Sequence, residues 1–189
     1  MTNDYDYVDN TSSDVQALVH VINLQGKDLV GAEIGVLQGS STMTLLHNCP
    51  NIKTLYAVDA FVPYTDFLYN YAINEISDRD IDRAKSYFYH VIKFSGMEDK
   101  VQVHEMDSDL AAEKIEDQSL DFIFLDAYIN KDKCVRDIEV WYPKVKRGGV
   151  FSGDDWGAYD VRNAVNNFRE KNNIHHPMST FNDNWVWIK

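Results

Sequence analysis

Acidic residues follow the most apolar segments of this chain, and carboxylates at such places can bind cations, hydroxyl groups or cationic ligands. The run GVFSG is followed by Asp154 and Asp155, and the run FIFL is followed by Asp126. On a strand, neighbouring side chains point to opposite faces, so Asp154 and Asp155 can share one site only where the chain has left the strand. We therefore predict that this pair lies on a loop after a buried strand.

Short runs rich in Val, Ile, Leu and Phe alternate with helical patterns, as is typical of βαβ units around a parallel sheet. The strand candidates are DLVGAEIGV, IKTLYAVDA, KVQVHEMD, SLDFIFLDA, RGGVFSG and NWVWIK. Helical patterns lie between them at SSTMTLLHN, KCVRDIEVWYPKV and VRNAVNNFREKNN. This order predicts a doubly wound α/β fold with helices on both faces of the sheet, in which ligands bind at the carboxyl ends of the strands.

The length of 189 residues fits one domain with a sizeable core. We assign residues 1–27 to an N-terminal helical segment and residues 28–189 to a single domain. Residues 61–96 interrupt the alternation, because this segment is too long for a simple crossover and is rich in tyrosine. We expect a loop and a long helix there, which either packs aromatic side chains over the sheet or serves as a substrate lid.

The net charge of −12 disfavours a nucleic acid or an anionic membrane as a partner. The N-terminal stretch MTNDYDYVDNTSSD has neither the basic region nor the apolar region of a signal peptide. Cys49 and Cys134 are the only cysteines, so a disulfide scaffold and a cysteine zinc site lack the residues they need. We expect a cytoplasmic protein that acts on a small molecule.

The stretch EIGVLQGSS joins the first predicted strand to a helix. Gly35 and Gly39 allow the backbone to approach a ligand, although close packing of helix on strand explains the same glycines. Glu33 precedes this turn, and Asp59 ends the second strand at the distance expected for recognition of ribose hydroxyls. Glu33 would serve a pyrophosphate poorly and an ammonium or sulfonium well, so the turn suits S-adenosylmethionine better than NAD.

Two further strand ends carry polar residues at the same edge. The third strand ends in HEMDSD, which places Asp107 and Ser108 where they can bind an adenine amino group or cap a helix. The fourth ends at Asp126, and a carboxylate after four apolar residues is seldom there for folding alone.

Five segments resemble, in this order, the motifs of class I S-adenosylmethionine-dependent methyltransferases: VGAEIGVLQGSS, LYAVDAF, DSDLAAEKIEDQSLDFIFLDA, DIEVWYPKVKRGGVFSGDDW and VRNAVNNF. The nearest branch is the small bacterial O-methyltransferases similar to the macrocin and catechol types. The resemblance implies a Rossmann-like, seven-stranded, mostly parallel sheet with an antiparallel C-terminal strand. It also implies methyl transfer to a hydroxyl oxygen of a sugar-like or catechol-like molecule. The predicted cofactor-binding residues are Glu33, Gly35, Gly39, Ser41, Asp59, Asp107, Ser108 and Asp126.

In metal-dependent relatives, the residues that correspond to Asp126, Asp154 and Asp155 hold a divalent cation. Three carboxylates at one edge repel one another unless a cation neutralises them, and oxygen ligands favour Mg²⁺, Mn²⁺ or Ca²⁺. The alternative is that Asp154 or Asp155 caps the next helix.

The sequence departs from these relatives at two places. They often carry His-Asp-Tyr where this chain has Asp154-Asp155-Trp156, and a histidine where it has Ile129. The histidine is a candidate base or ligand, and its replacement leaves Asp126 and Lys131 as the predicted catalytic residues, with Lys133 as an alternative amine.

A homodimer is one possible assembly of this chain. Two other classes of function also stay open. A non-catalytic protein on the same fold would bind S-adenosylmethionine without turning it over. An NAD-dependent oxidoreductase would need the turn G-x-G-x-x-G, which GVLQGSS lacks.

Overall fold

A computed structural model describes residues 15–68, 71–127 and 131–189. Its helices are α1 Gln16–Asn23, α2 Ser40–Asn48, α3 Asp78–Phe94, α4 Ser108–Ala112, α5 Lys131–Trp141 and α6 Tyr159–Lys171. Its strands are β1 Leu29–Ile34, β2 Ile52–Asp59, β3 Tyr64–Leu68, β4 Tyr71–Ile76, β5 Val101–Glu105, β6 Leu120–Leu125, β7 Val145–Gly153, β8 Met178–Phe181 and β9 Asn184–Ile188. All six strand candidates from the sequence form strands, which confirms the predicted alternation.

Seven of these strands form one sheet in the order β5-β2-β1-β6-β7-β9-β8. The pairs among β5, β2, β1, β6 and β7 are parallel, whereas β9 runs antiparallel to both β7 and β8. The predicted Rossmann-like sheet with an antiparallel C-terminal strand is therefore confirmed. The chain builds outward from β1 to β5 and then returns to β6, so β1 and β6 flank the point where the strand order reverses. A doubly wound sheet binds its ligands at this switch point.

Helices cover both faces of the sheet because strand side chains alternate between them. Phe122 and Phe124 of β6 are buried under α1, α2 and α3, while Ile123 between them is buried under α4, α5 and α6. Helix α1 contributes Leu18 and Ile22 to the first of these cores, so it packs as part of the domain. No helix in the described ranges is both long and apolar enough to cross a membrane.

The tyrosine-rich segment contains a β-hairpin where the sequence suggested a loop. Strands β3 and β4 pair antiparallel from Tyr64 with Ile76 to Leu68 with Tyr71. The predicted long helix follows as α3, and it begins with a capping box in which Ser77 and Asp80 exchange hydrogen bonds. Since a two-stranded ribbon needs only local pairing, the high share of β-favouring aromatic and branched residues explains the difference.

The C-terminal hairpin β8–β9 is closed by Asn182 and Asp183, and both have a positive φ (+44° and +70°). Positive φ at both central residues characterises the type I′ turn that joins two-residue hairpins. Trp185 and Trp187 of β9 are buried and stacked with ring centroids 5.2 Å apart. Both tryptophans therefore belong to the core.

Candidate functional site

The turn between β1 and α2 lies directly against the end of β6. Gly35 has a φ of +89°, and a Cβ added to it would lie 2.1 Å from the carbonyl oxygen of Asp126. Gly39 has a φ of +86°, and its Cβ would lie 2.7 Å from the ring of Phe88. Close packing therefore requires both glycines, and it also brings the turn and Asp126 together at the switch point.

Glu33 lies beneath this turn with 0 % of its surface exposed. It accepts hydrogen bonds from the hydroxyls of Ser41 and Thr42, the latter at 2.7 Å. Burial raises the pKa of Glu33 to about 7; the two hydroxyls oppose the rise and the charge of Asp59 adds to it. These hydrogen bonds show that Glu33 and Ser41 stabilise the turn. Direct contact of Glu33 and Ser41 with the cofactor stays a prediction.

Asp59 ends β2 and organises the same turn from above. Its Oδ2 accepts hydrogen bonds from the backbone N–H groups of Val36 and Leu37 at 3.0 and 2.9 Å, and its Oδ1 accepts one from Phe61 at 2.7 Å. A carboxylate offers about four acceptor positions, so Oδ1 can accept one more hydrogen bond, such as that of a ribose hydroxyl. The remaining acceptor position on Asp59 thus fits a ribose hydroxyl of the predicted cofactor.

Asp107 and Ser108 lie at the start of α4, at the end of β5. Asp107 is exposed, with Lys133 Nζ 3.5 Å from its carboxylate. Ser108 Oγ accepts a hydrogen bond from Trp141 Nε1 at 2.7 Å and donates to Asp137. The side chain of Ser108 therefore joins α4 to α5, and Asp107 is the exposed member of the pair that can meet an adenine.

Asp137 on α5 is 4 % exposed, and sequence reasoning did not single it out. Burial raises its pKa to about 6, despite the hydrogen bond from Ser108. The available signal was helical spacing, because Asp137 falls on the same buried stripe as Cys134, Ile138 and Trp141.

Asp126 is half-buried at the end of β6, and its backbone N–H donates to the carbonyl of Ile34 at 2.8 Å. This bond fixes the residue beside the end of β1. Lys131 begins α5 a few residues later. Ile129, where relatives often have histidine, lies outside the described residues, so the identity of a base stays a prediction.

Asp154 and Asp155 lie on the loop after β7, as predicted. Asp154 Oδ1 accepts a hydrogen bond from Asn184 Nδ2 at 2.7 Å. Helix α6 has Ala158 as its N-cap with no side-chain cap, so neither aspartate caps that helix. Asp155 has a φ of +60°, and its carbonyl accepts a hydrogen bond from the N–H of Ala158 at 2.9 Å.

The predicted metal site at Asp126, Asp154 and Asp155 gains no support from these contacts. Across residues 15–68, 71–127 and 131–189, no three histidine, cysteine or acidic side chains are grouped so that they could hold a metal ion. The metal site therefore stays a prediction.

Comparisons with known proteins agree with this arrangement. Residues 32–156 match a family described as a methyltransferase domain, which spans β1 to the loop after β7. Among curated proteins, none matches the chain.

Solved structures share the fold at low sequence identity. An SAH-bound methyltransferase of Podospora anserina, PaMTH1, is 15% identical with a TM-score of 0.68, over 96% of this chain and 81% of that one. The O-methyltransferase NovP is 18% identical with a TM-score of 0.57, over 94% and 75%. A precorrin 8W decarboxylase of Methanobacterium thermoautotrophicum is 15% identical with a TM-score of 0.60, over 95% and 91%.

The decarboxylase shows that the fold alone does not settle the reaction, so the family match and the site carry the assignment. The chain belongs to the methyltransferase domain family and has the fold of the class I S-adenosylmethionine-dependent methyltransferases that its motifs resemble.

Proposed function

We propose that this protein transfers a methyl group from S-adenosylmethionine to a hydroxyl oxygen of a small sugar-like or catechol-like molecule. One observation carries the proposal: the glycine turn, Asp59 and Asp126 surround the switch point between β1 and β6. This edge offers carboxylates to the ribose and to the positive charges of the cofactor. The O-methyltransferase NovP, which shares the fold, supports oxygen as the acceptor atom.

The cofactor side of the site consists of β1, β2 and β5. We assign Asp59 Oδ1 to a ribose hydroxyl because it retains an acceptor position, and Asp107 to the adenine amino group because it is exposed. When bound, S-adenosylmethionine supplies a methyl group on a sulfonium that leaves as a neutral thioether. Residues near the glycine turn hold this group in line with the acceptor.

The acceptor side consists of β6, β7 and the loop after β7. A hydroxyl oxygen that attacks the methyl carbon loses its proton, so a group at this edge has to accept it. Asp126 and Lys131 are the proposed acceptors of that proton, since one ends β6 and the other begins α5. Alignment of the two reactants supplies most of the remaining acceleration.

A divalent cation could lower the pKa of the acceptor hydroxyl in addition. The described residues contain no group of three side chains that could hold one, so no step is assigned to it. We also propose a reducing, cytoplasmic setting, which is supported by the buried thiols of Cys49 and Cys134, since these two cysteines are not joined in a disulfide.

Calorimetric titration of S-adenosylmethionine and S-adenosylhomocysteine into the purified protein tests the proposal, with NADH as the control ligand. We expect micromolar binding of both sulfur ligands and none of NADH, and then a methylated product in a screen of sugars and catechols. Binding of neither sulfur ligand would overturn the proposal. Tight binding without turnover of any hydroxylated acceptor would instead favour the non-catalytic alternative.

A further inference from the structure

The turn of the C-terminal hairpin contacts the loop that follows β7. We call residues 154–157 the acceptor loop, because it begins at the end of β7, on the opposite side of the switch point from Asp59. The N–H of Trp156 donates to the carbonyl of Asp183 at 2.7 Å, and the N–H of Gly157 donates to Asp183 Oδ1. Asp183 therefore holds two consecutive amides of the acceptor loop.

The first residues of β9 hold the start of the same loop. Asn184 is 3 % exposed and donates its side-chain amide to the carboxylate of Asp154. Trp185 Nε1 donates to the backbone carbonyl of Asp154 at 3.1 Å. A hydrogen bond to a charged group is among the stronger kinds, so the bond from Asn184 to the half-buried carboxylate fixes Asp154 in place.

The shapes of the loop and the turn match at the point of contact. A Cβ added to Gly157 would lie 2.9 Å from Asp183 Oδ1, closer than a normal contact. The positive φ values of Asn182 and Asp183 create the tight turn that brings this carboxylate to the loop. A larger residue at position 157 would therefore displace the carboxylate of Asp183 from this contact.

The acceptor loop also faces the reacting edge. The N–H of Asp154 donates to the carbonyl of Leu125 at 3.0 Å, immediately before Asp126. The loop is therefore held between the C-terminal hairpin and the end of β6.

We propose that Asp183 and Asn184 are positioning residues that set the acceptor side of the site. They hold the acceptor loop against the edge that carries Asp126. The connection consists of the hydrogen bonds that Asp154 accepts from Asn184 and Trp185 and those that the amides of Trp156 and Gly157 donate to Asp183. The proposed methyl transfer gives this loop its role, but the positioning itself can be measured without an acceptor.

Amide hydrogen exchange of Trp156 and Gly157 tests this inference, combined with calorimetric titration of S-adenosylhomocysteine. We expect Asp183→Ala to raise exchange at the Gly157 amide about five- to tenfold, the size of one lost hydrogen bond. Asp183→Asn keeps a side-chain oxygen and should restore much of the protection. Asn182→Gly is the matched control, since glycine suits the turn and exchange should not change.

Gly157→Ala tests the same contact from the other side. We expect it to raise exchange as Asp183→Ala does, and we expect the double variant to exchange no faster than Asp183→Ala, because the clash is gone. S-adenosylhomocysteine affinity should stay within about twofold throughout, as the loop lies on the acceptor side.

Two results would overturn the inference. One is unchanged exchange at both amides in Asp183→Ala and Gly157→Ala. The other is a loss of S-adenosylhomocysteine affinity that parallels the exchange, which would show that the turn supports the whole sheet edge. Failure of the proposed function would appear separately, as absence of S-adenosylhomocysteine binding by the unmodified protein.

Discussion

Thr42 donates its hydroxyl to the buried carboxylate of Glu33 over 2.7 Å, and this bond joins the first turn of α2 to β1 beneath the cofactor turn. Burial places an ionisable group there with a pKa of about 7. The stability of the turn is therefore coupled to pH near neutrality.

We predict that Glu33→Gln reduces the pH dependence of the free energy of unfolding between about pH 4.5 and 7. The pKa of Glu33 is higher in the folded than in the unfolded protein, so the folded state binds more protons in this window. The contribution of Glu33 to stability accordingly falls as pH rises towards 7. Urea unfolding at several pH values measures it, and the slope of stability against pH should flatten in the variant.

Asp137 titrates in an overlapping window, because its pKa is raised to about 6. Asp137→Asn is therefore the companion variant, and the two flattening effects should add, since Glu33 bonds to α2 on one face of the sheet whereas Asp137 lies on α5 on the other. If the free energy of unfolding depends on pH in Glu33→Gln as steeply as in the unmodified protein, the raised pKa of Glu33 is contradicted.

Asp59→Ala should weaken S-adenosylhomocysteine binding by about tenfold or more, since it removes an acceptor for ribose and releases two amides of the cofactor turn. Asp59→Asn should lose less affinity for S-adenosylhomocysteine, because the amide keeps one side-chain oxygen as a hydrogen-bond acceptor. Calorimetry measures both, and Asp82→Ala on the exposed face of α3 serves as a charge-matched control. Equal affinity in all three variants would remove Asp59 from the cofactor site.

Gly35→Ala should destabilise the fold more than Gly96→Ala, although both residues have a positive φ. A Cβ at Gly96 meets nothing within 4 Å, so that variant measures the backbone strain alone, about 1 kcal/mol. A Cβ at Gly35 also meets the backbone of Asp126, which adds about 1–3 kcal/mol. Thermal unfolding measures the stability of both variants. An equal loss of stability in Gly35→Ala and Gly96→Ala would mean that the turn can move away from β6.

Asp154→Ala should lower the melting temperature equally with and without Mn²⁺, because its carboxylate accepts a hydrogen bond from the buried side chain of Asn184. A loss of about 1–3 kcal/mol is expected when a buried partner is left unsatisfied. The matched variant is Asn184→Ala, whose melting temperature should fall by a similar amount with and without Mn²⁺. If Mn²⁺ instead stabilises the unmodified protein and not Asp154→Ala, the predicted metal site is supported.

The order of strands and helices was predictable because each depends on local periodicity. The alternation of apolar runs with helical patterns located six of the seven strands of the sheet, all except β8. Placement of Asp59, Asp107 and Asp126 at one edge followed as well, since the carboxyl ends of parallel strands share an edge. These statements need only the sequence.

The partners of the polar side chains were decided by the tertiary structure. Asp154 meets Asn184, thirty residues away in sequence, because β9 pairs with β7 in a particular register. Asp137 meets Ser108 because α4 and α5 pack side by side. Strand register and helix packing arise from the whole core, so no local pattern in the sequence specifies which carboxylate bonds to a neighbour and which is left to face a ligand.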